Sequence, residues 1–358
     1  MADAIAEPQL AGNAEINVAD RGVRIDVPPP ASAHAPLAAD FGRRFFVVCD
    51  TEEEFDWTKP LARENVATET VRALPEGQAM FEANGVAPCY VVDHPIADSD
   101  EAVAIMGPWL ESGACSIGTQ LHTWVNPPFE EELTPRNSFC GNLPPALERA
   151  KIVALTERIA ERFGKRPDIY RAGRYGIGPN SAAILESLGY RLDVSVRSLF
   201  RYHGEGGPDF IGFGLEPFWA GPKGTLLEVP LTAAFIGHLR VFGRSLHRLS
   251  QILPRGEGIL SRTGLFTRVP LTPEGYGKHE ACEAIRVLAG EGLDIFSLSF
   301  HSPSLEAGFT PYVRDAADLR EFYAWWDAVF AEFARLGIRP TGLDEIVAAA
   351  WRKRAGAR

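Results

Sequence analysis

The chain has 358 residues, 46% hydrophobic and 23% charged, with a formal net charge of −11. This is the composition of a soluble globular protein, long enough for one large α/β domain or two ordinary ones. The acidity argues against a nucleic-acid binder, which needs a basic stripe to neutralise phosphates, and no run approaches the ~20 apolar residues of a membrane span.

The first forty residues have no basic start and no long apolar stretch, and they include the Pro/Ala-rich segment Val27–Pro36. They read as a flexible tail rather than a signal peptide, so the chain reads as cytoplasmic. Five cysteines (Cys49, Cys89, Cys115, Cys140 and Cys282) form no Cys-x-x-Cys pair, which fits a reducing compartment.

After the tail, strands and helices alternate. A strand at 44–50 precedes a helix at 65–84, which stops at Asn84-Gly85. A strand at 87–92, a helix at 98–111 and a strand at 115–118 follow. A polar loop, 124–142, leads to a helix at 145–164 and a strand ending at Arg171. A helix from Pro179 to Leu188 and a strand at 191–195 come next, and 200–225 reads as irregular. The strand at 226–231 opens a longer connection, 232–270, in which Leu246, Leu249, Ile252 and Leu253 suggest a helix. A helix at 279–290, a strand at 294–300 and helices at 315–336 and 343–354 close the chain. Repeated units of this size predict parallel strands with helical crossovers. One domain, 41–358, would carry 232–270 as an insertion.

Polar side chains fall at the ends of the apolar runs. Phe45–Cys49 runs into Asp50-Thr51-Glu52, Cys89–Val92 into Asp93-His94, and Ile295–Phe300 into His301. Cys115–Gly118 leads to Gln120 and His122, and Ile169-Tyr170 meets Arg171. Parallel strands bring such ends to one face, so these residues converge on one polar site. Asp50 should be buried near it, whereas Glu53 and Glu54 read as a solvated loop. A lone histidine is more often structural than a ligand. His122 departs from that default because carboxylates and His301 occupy equivalent strand ends. Imidazole ordinarily titrates near neutrality, so His301 suits proton donation to a leaving group. Arg171 and Arg174 could orient a carboxylate base or bind an anionic substrate, with structural ion pairing an equal reading for Arg174. The segment Asp193–Arg197 repeats this pattern more weakly.

At these residues the chain resembles the polysaccharide deacetylase superfamily (carbohydrate esterase family 4, the NodB-homology fold), and within it the WalW-like branch associated with lipopolysaccharide biosynthesis. The likeness spans about residues 42 to 348 and rests on Val48–Glu52, Ile117–Trp124, Arg171–Gly176 and Leu298–Pro303, in that order. It implies a distorted (β/α)7 barrel of mostly parallel strands with helices outside, and a divalent metal, usually zinc. Asp50 would be the catalytic base, Arg171 its holder and His301 the acid. Glu52 would be the metal-binding acid. The two histidines of the family's metal motif fall on Gln120 and Trp124, leaving His122 the one imidazole there. The expectation is either an altered site of Glu52, His122 and Gln120, with Asp93 or His94 nearby, or no tight metal binding at all. Zinc prefers three N, O or S protein ligands when catalytic, and a neutral amide favours a harder cation.

The resemblance implies a hydrolase that removes an N-acetyl group from an amino sugar in a cell-surface polysaccharide or lipopolysaccharide precursor. Its partner would be a carbohydrate or glycolipid substrate. Trp124, Arg174, Asp93 and His94 are the expected substrate contacts, with Trp57, Phe218, Trp219 and Tyr312 as further stacking candidates. Two alternatives stand beside this reading: a non-catalytic glycan-binding or scaffold protein on the same barrel, and an amidohydrolase acting on a small non-sugar amide.

Overall fold

A computed structural model describes residues 21–240, 243 and 266–356. Its strands are β1 (Arg44–Thr51), β2 (Cys89–Val92), β3 (Ser116–Leu121), β4 (Ile169–Ala172), β5 (Leu192–Asp193), β6 (Phe218–Ala220), β7 (Leu226–Glu228), β8 (Ala233–Ile236), β9 (Thr267–Pro270), β10 (Ile295–His301) and β11 (Arg339–Pro340). Nine of them form one sheet in the order β10-β1-β2-β3-β4-β5-β7-β6, with β11 pairing the start of β1. Every pairing in it is parallel except β6 with β7. The sheet curls into a half-barrel, the α/β architecture expected from the alternating runs.

The helices are α1 (Leu74–Ala83), α2 (His94–Asp98), α3 (Asp100–Ser112), α4 (Pro145–Phe163), α5 (Ser181–Ser187), α6 (Lys278–Gly290), α7 (Ala316–Arg335) and α8 (Leu343–Gly356). None is long and apolar enough to cross a membrane. The buried stripe of α7 (Phe322, Trp325, Trp326, Val329, Phe330 and Phe333) follows the three-and-four spacing that puts one helix face on a core. Asp315 caps its start by accepting from the amides of Ala317 and Asp318.

Period-two alternation along the strands decides what reaches the site. On β1, Phe45, Val47 and Cys49 pack outward under the helices, while Phe46 and Val48 point into the barrel with Leu343, Ile346 and Val347 of α8. The inward row therefore continues as Asp50 and Glu52. On β10, Phe296, Leu298 and Phe300 face the helices and Ile295 lies inside, so Ser297, Ser299 and His301 complete the inner row. On β4, Tyr170 and Ala172 lie outward and Ile169 inward, which sends Arg171 inward. The interior is apolar at the end plugged by α8 and polar at the carboxyl ends of the strands.

The free edge of β10 is bordered by the chain around the β8–β9 hairpin. Ser299 N–H donates to Leu271 O at 3.2 Å, and Thr232 N–H donates to Ser297 Oγ at 2.7 Å. The strands β6, β8 and β9 were not expected from sequence. Their runs are only three or four residues long, although Gly221-Pro222-Lys223-Gly224 marks the turn between β6 and β7. The helix suggested by Leu246–Leu253 lies outside the described residues, as do residues 1–20 of the expected tail. Residues 21–40 differ from a free tail. Val23 bridges Gly221, His34 bridges Phe218, and Ile25 and Ala35 are buried, so this segment covers the β6 edge.

Candidate active site

A cavity of about 510 Å³ opens at the carboxyl ends of the strands. Asp50, Glu52, Gln120, His122, Arg171 and His301 all line it, together with Trp124 and Arg174. Asp50 and Glu52, two residues apart on the inward row, each face an imidazole Nε2 at 3.5 Å: Asp50 faces His301, and Glu52 faces His122. Behind each ring a second carboxylate meets Nδ1 at 2.7 Å, Glu274 behind His301 and Glu53 behind His122. Arg171, fully buried, brings Nε to 2.9 Å from Asp50 Oδ1, as an ion-pair contact rather than an aligned hydrogen bond.

The two halves of this arrangement differ in charge. Burial alone would lower His301, but Glu274, Glu52 and Asp50 together raise it well above the ordinary imidazole range. Burial would likewise raise Glu274, yet the charge of His301 and hydrogen bonds from His301 and Ser304 hold it below the usual carboxyl value. Across the cavity, burial pushes Glu52 up to about 7 and Glu53 up to about 8. Asp93 is raised well above its ordinary value by burial and by Glu53. Glu52, Glu53 and Asp93 surround the His122 ring, and among the described residues no lysine or arginine pairs with any of the three.

Among the described residues, Glu53, Asp93 and His122 form a buried group whose ligand atoms lie within 4.8 Å of one another, a group that could hold a metal. Their carboxylate oxygens are already occupied. Glu53 accepts from Trp124 Nε1 at 2.6 Å as well as meeting His122, and Asp93 accepts from the amides of Ile96 and Glu53 at 2.8 and 2.7 Å. By contrast, Glu52 Oε1 and Gln120 Oε1 are buried with no hydrogen-bond partner. Buried oxygens of this kind call for a donor or a cation. Both residues line the cavity with His122, whose Nε2 lies 3.5 Å from Glu52 Oε2, and Glu53 behind the ring is the carboxylate that metal-bound histidines commonly have. The residues present fit a divalent cation.

The loop after β4 is shaped around this ring. A Cβ on Gly173 would lie 2.4 Å from His122 Cδ2 and 2.5 Å from Leu121 O, so only glycine fits there. Arg174 and Tyr175 then adopt positive φ values of 54° and 59°. For non-glycine residues this costs on the order of 1–3 kcal/mol each and is tolerated where surroundings impose it.

Other expected residues fall in different places. Trp124 is buried, stacked on His122 with ring centres 4.3 Å apart, and it donates to Glu53, so it builds the wall and sets the imidazole. Trp57 and Tyr312 stand at the mouth, with Trp57 edge-on to His301 at 5.1 Å. Phe218 and Trp219 lie in the core, away from the cavity. Arg174 pairs with Glu205 and donates to Ser138 Oγ. Asp93 and His94, expected as substrate contacts, do not line the cavity. Asp93 caps α2 from a fully buried position, and His94 pairs with Asp98 at 3.2 Å.

Two residues at the heart of the site were not picked out from sequence. Glu53, read as part of a solvated loop, is fully buried because His122, Trp124 and Asp93 close around it. Glu274 follows Val269-Pro270-Leu271-Thr272-Pro273, an apolar run ending in a polar residue like the other strand ends, which was the available signal.

No family model matches this sequence, and no curated protein sequence matches it. Solved structures do. A Mycobacterium smegmatis protein assigned to the polysaccharide deacetylases is 16% identical, with a TM-score of 0.50 over 90% of this chain and 95% of that one. A PuuE allantoinase gives 15% identity and a TM-score of 0.49, covering 89% and 94%. A GH57 branching enzyme from Thermococcus kodakaraensis gives 12% and 0.48, covering 86% and 71%. The chain therefore shares the curled, mostly parallel half-barrel of the polysaccharide deacetylases.

Proposed function

We propose that this chain is a hydrolase that removes an N-acetyl group from an amino sugar, the substrate being a precursor of a cell-surface polysaccharide or lipopolysaccharide of the kind made by the WalW-like branch. The observation that carries this reading is the line Arg171–Asp50–His301–Glu274 along one wall of the cavity. A glycan-binding protein has no need of a held carboxylate facing a charged imidazole.

Arg171 pairs with Asp50, and both line the cavity. Asp50 takes a proton from a water molecule as its oxygen attacks the acetyl carbon. His301, charged and held at Nδ1 by Glu274, gives its Nε2 proton to the amide nitrogen as the C–N bond breaks, releasing acetate and a free amine. Glu52, His122 and Gln120 would hold the divalent cation, which when bound supplies polarisation of the acetyl carbonyl and a lowered pKa for water. Trp57 and Tyr312 offer apolar ring faces at the mouth, which suits a sugar better than a small linear amide.

The test is acetate release from N-acetylated amino sugars. Asp50→Asn and His301→Ala should each reduce it by ~10²–10⁴-fold while circular dichroism stays native. Undiminished turnover in either variant refutes the assigned role.

A further inference from the structure

Arg197 follows β5 and lines the cavity, and its guanidinium has no carboxylate partner among the described residues. The other cations of the wall are engaged: Arg171 with Asp50, Arg174 with Glu205, and Lys59 with Asp56. Arg197 is instead lodged against aromatic rings, 4.0 Å from the centre of Phe200 and 4.9 Å from that of Tyr175. Ring faces offset only part of the cost of withdrawing a cation from water. Arg171 lies 5.0 Å from the centre of the same Tyr175 ring, on which Asp50's holder and Arg197 therefore converge.

The surrounding donors are also unspent. Tyr202 Oη accepts from Arg197 Nη1 at 2.9 Å, and Tyr175 Oη accepts from Arg171 Nη2 at 3.3 Å. Neither phenol hydrogen has an acceptor among the described residues. The two rings stack with centres 5.6 Å apart, and both residues line the cavity beside Arg197. A planar guanidinium beside two free O–H donors matches a group with several acceptor oxygens and negative charge.

We infer that Arg197, Tyr175 and Tyr202 form a subsite for a phosphoryl group on the substrate. The three donor groups match its three terminal oxygens, where a carboxylate offers two. Its use in turnover rests on the deacetylase reading, and the substrate class then becomes a phosphorylated N-acetyl amino sugar. The site itself is testable without that reading.

Titration calorimetry with inorganic phosphate should show binding to the wild-type chain, weakened ~10–100-fold in Arg197→Ala. Arg197→Lys, which keeps the charge but loses the fork, and Tyr202→Phe should each weaken it several-fold, which keeps the test open if the alanine variant fails to fold. In acetate-release assays, an N-acetylhexosamine, its phosphate monoester and the corresponding uronic acid are compared. Arg197→Ala should move the KM ratio of phosphate ester to neutral sugar by ~10–100-fold. No phosphate binding by the wild type, equal binding by the variants, or a preference for the uronic acid over the phosphate ester overturns the subsite. Phosphate binding that depends on Arg197 while no sugar releases acetate leaves the subsite standing and refutes the deacetylase reading instead.

Discussion

Replacing Glu274 by glutamine keeps the shape of the side chain and removes its charge. Glu274 Oε1 accepts from the His301 amide at 2.9 Å and from Ser304 Oγ at 2.7 Å, and a glutamine oxygen can keep both. The glutamine –NH₂ then faces His301 Nδ1, where Oε2 now sits at 2.7 Å. A donor meets a donor unless the ring gives up its Nδ1 proton, so Glu274→Gln favours a neutral imidazole with hydrogen on Nε2. That ring is a far weaker acid, and kcat should fall by ~10²–10⁴-fold. Losing a hydrogen bond between charged groups should also cost about 1.5–3 kcal/mol of stability. The sign follows from the two shifts. Glu274, lowered, contributes above its ordinary value of 4.5, and His301, raised, contributes fully below its ordinary 6.5. The stability gap between wild type and variant should be widest between those pH values. It should close as pH falls through the native Glu274 pKa or rises through that of His301. Glu52 and Asp50 also face His301, so the ring keeps part of its elevation, and the alkaline limb of the activity profile should move to lower pH rather than vanish. Acetate release and urea unfolding, each followed across pH, check both expectations. Turnover within twofold of wild type with an unmoved alkaline limb would refute the role given to Glu274.

Gly173→Ala should displace His122, because the new Cβ would lie 2.4 Å from its ring. Overpacking of this kind costs about 1–3 kcal/mol, and a misplacement near 1 Å lowers turnover by ~10²-fold. Urea unfolding and acetate release measure the two, and wild-type values in both would show that the loop can yield. After incubation with zinc, cobalt or manganese, elemental mass spectrometry should find near-stoichiometric metal in the wild type and none in His122→Ala. Glu53→Gln should weaken metal affinity by ~10–100-fold, and equal metal in all three proteins would refute the assignment of the donor set.

Much of the fold was legible because the chain writes it in two periods. Runs such as Phe45–Cys49 and Ile295–Phe300 are buried on both faces, and each ends where alternation delivers a polar side chain to the interior. Most of the helices lie within a few residues of their expected bounds, since stripes and terminal glycines mark them, and Gly85, Gly113 and Gly164 all adopt positive φ. The exception is α1, expected from 65, which begins at Leu74 after a 3-10 turn over Glu69–Ala73. Short strands were not legible. β8 and β9 are held by Thr232 and Leu271 against β10, a tertiary contact with no local signature. The same distinction divides the site. Asp50, Arg171 and His301 announce themselves at strand ends, whereas Glu53 looks like one member of an acidic loop until His122 and Trp124 close over it.

The site is built from one device used twice: a carboxylate from the inward row of β1 faces an imidazole that a second, buried carboxylate holds from behind. The two copies are not equivalent, because only one has its charges balanced. Asp50 has Arg171, and Glu274 has a charged His301, so that half can pass a proton without stranding a buried charge. The other half gathers Glu52, Glu53 and Asp93 around His122, with burial raising all three carboxyls. Gln120 and Trp124, the positions on which the resemblance places two motif histidines, have different surroundings. Gln120 supplies an unpartnered oxygen, and the Trp124 indole steadies Glu53 behind the remaining ring. A cation held there as proposed would meet a neutral amide in place of imidazole, a donor that favours a harder, more oxygen-seeking ion. The balanced half can then serve as proton carrier whatever cation the other holds.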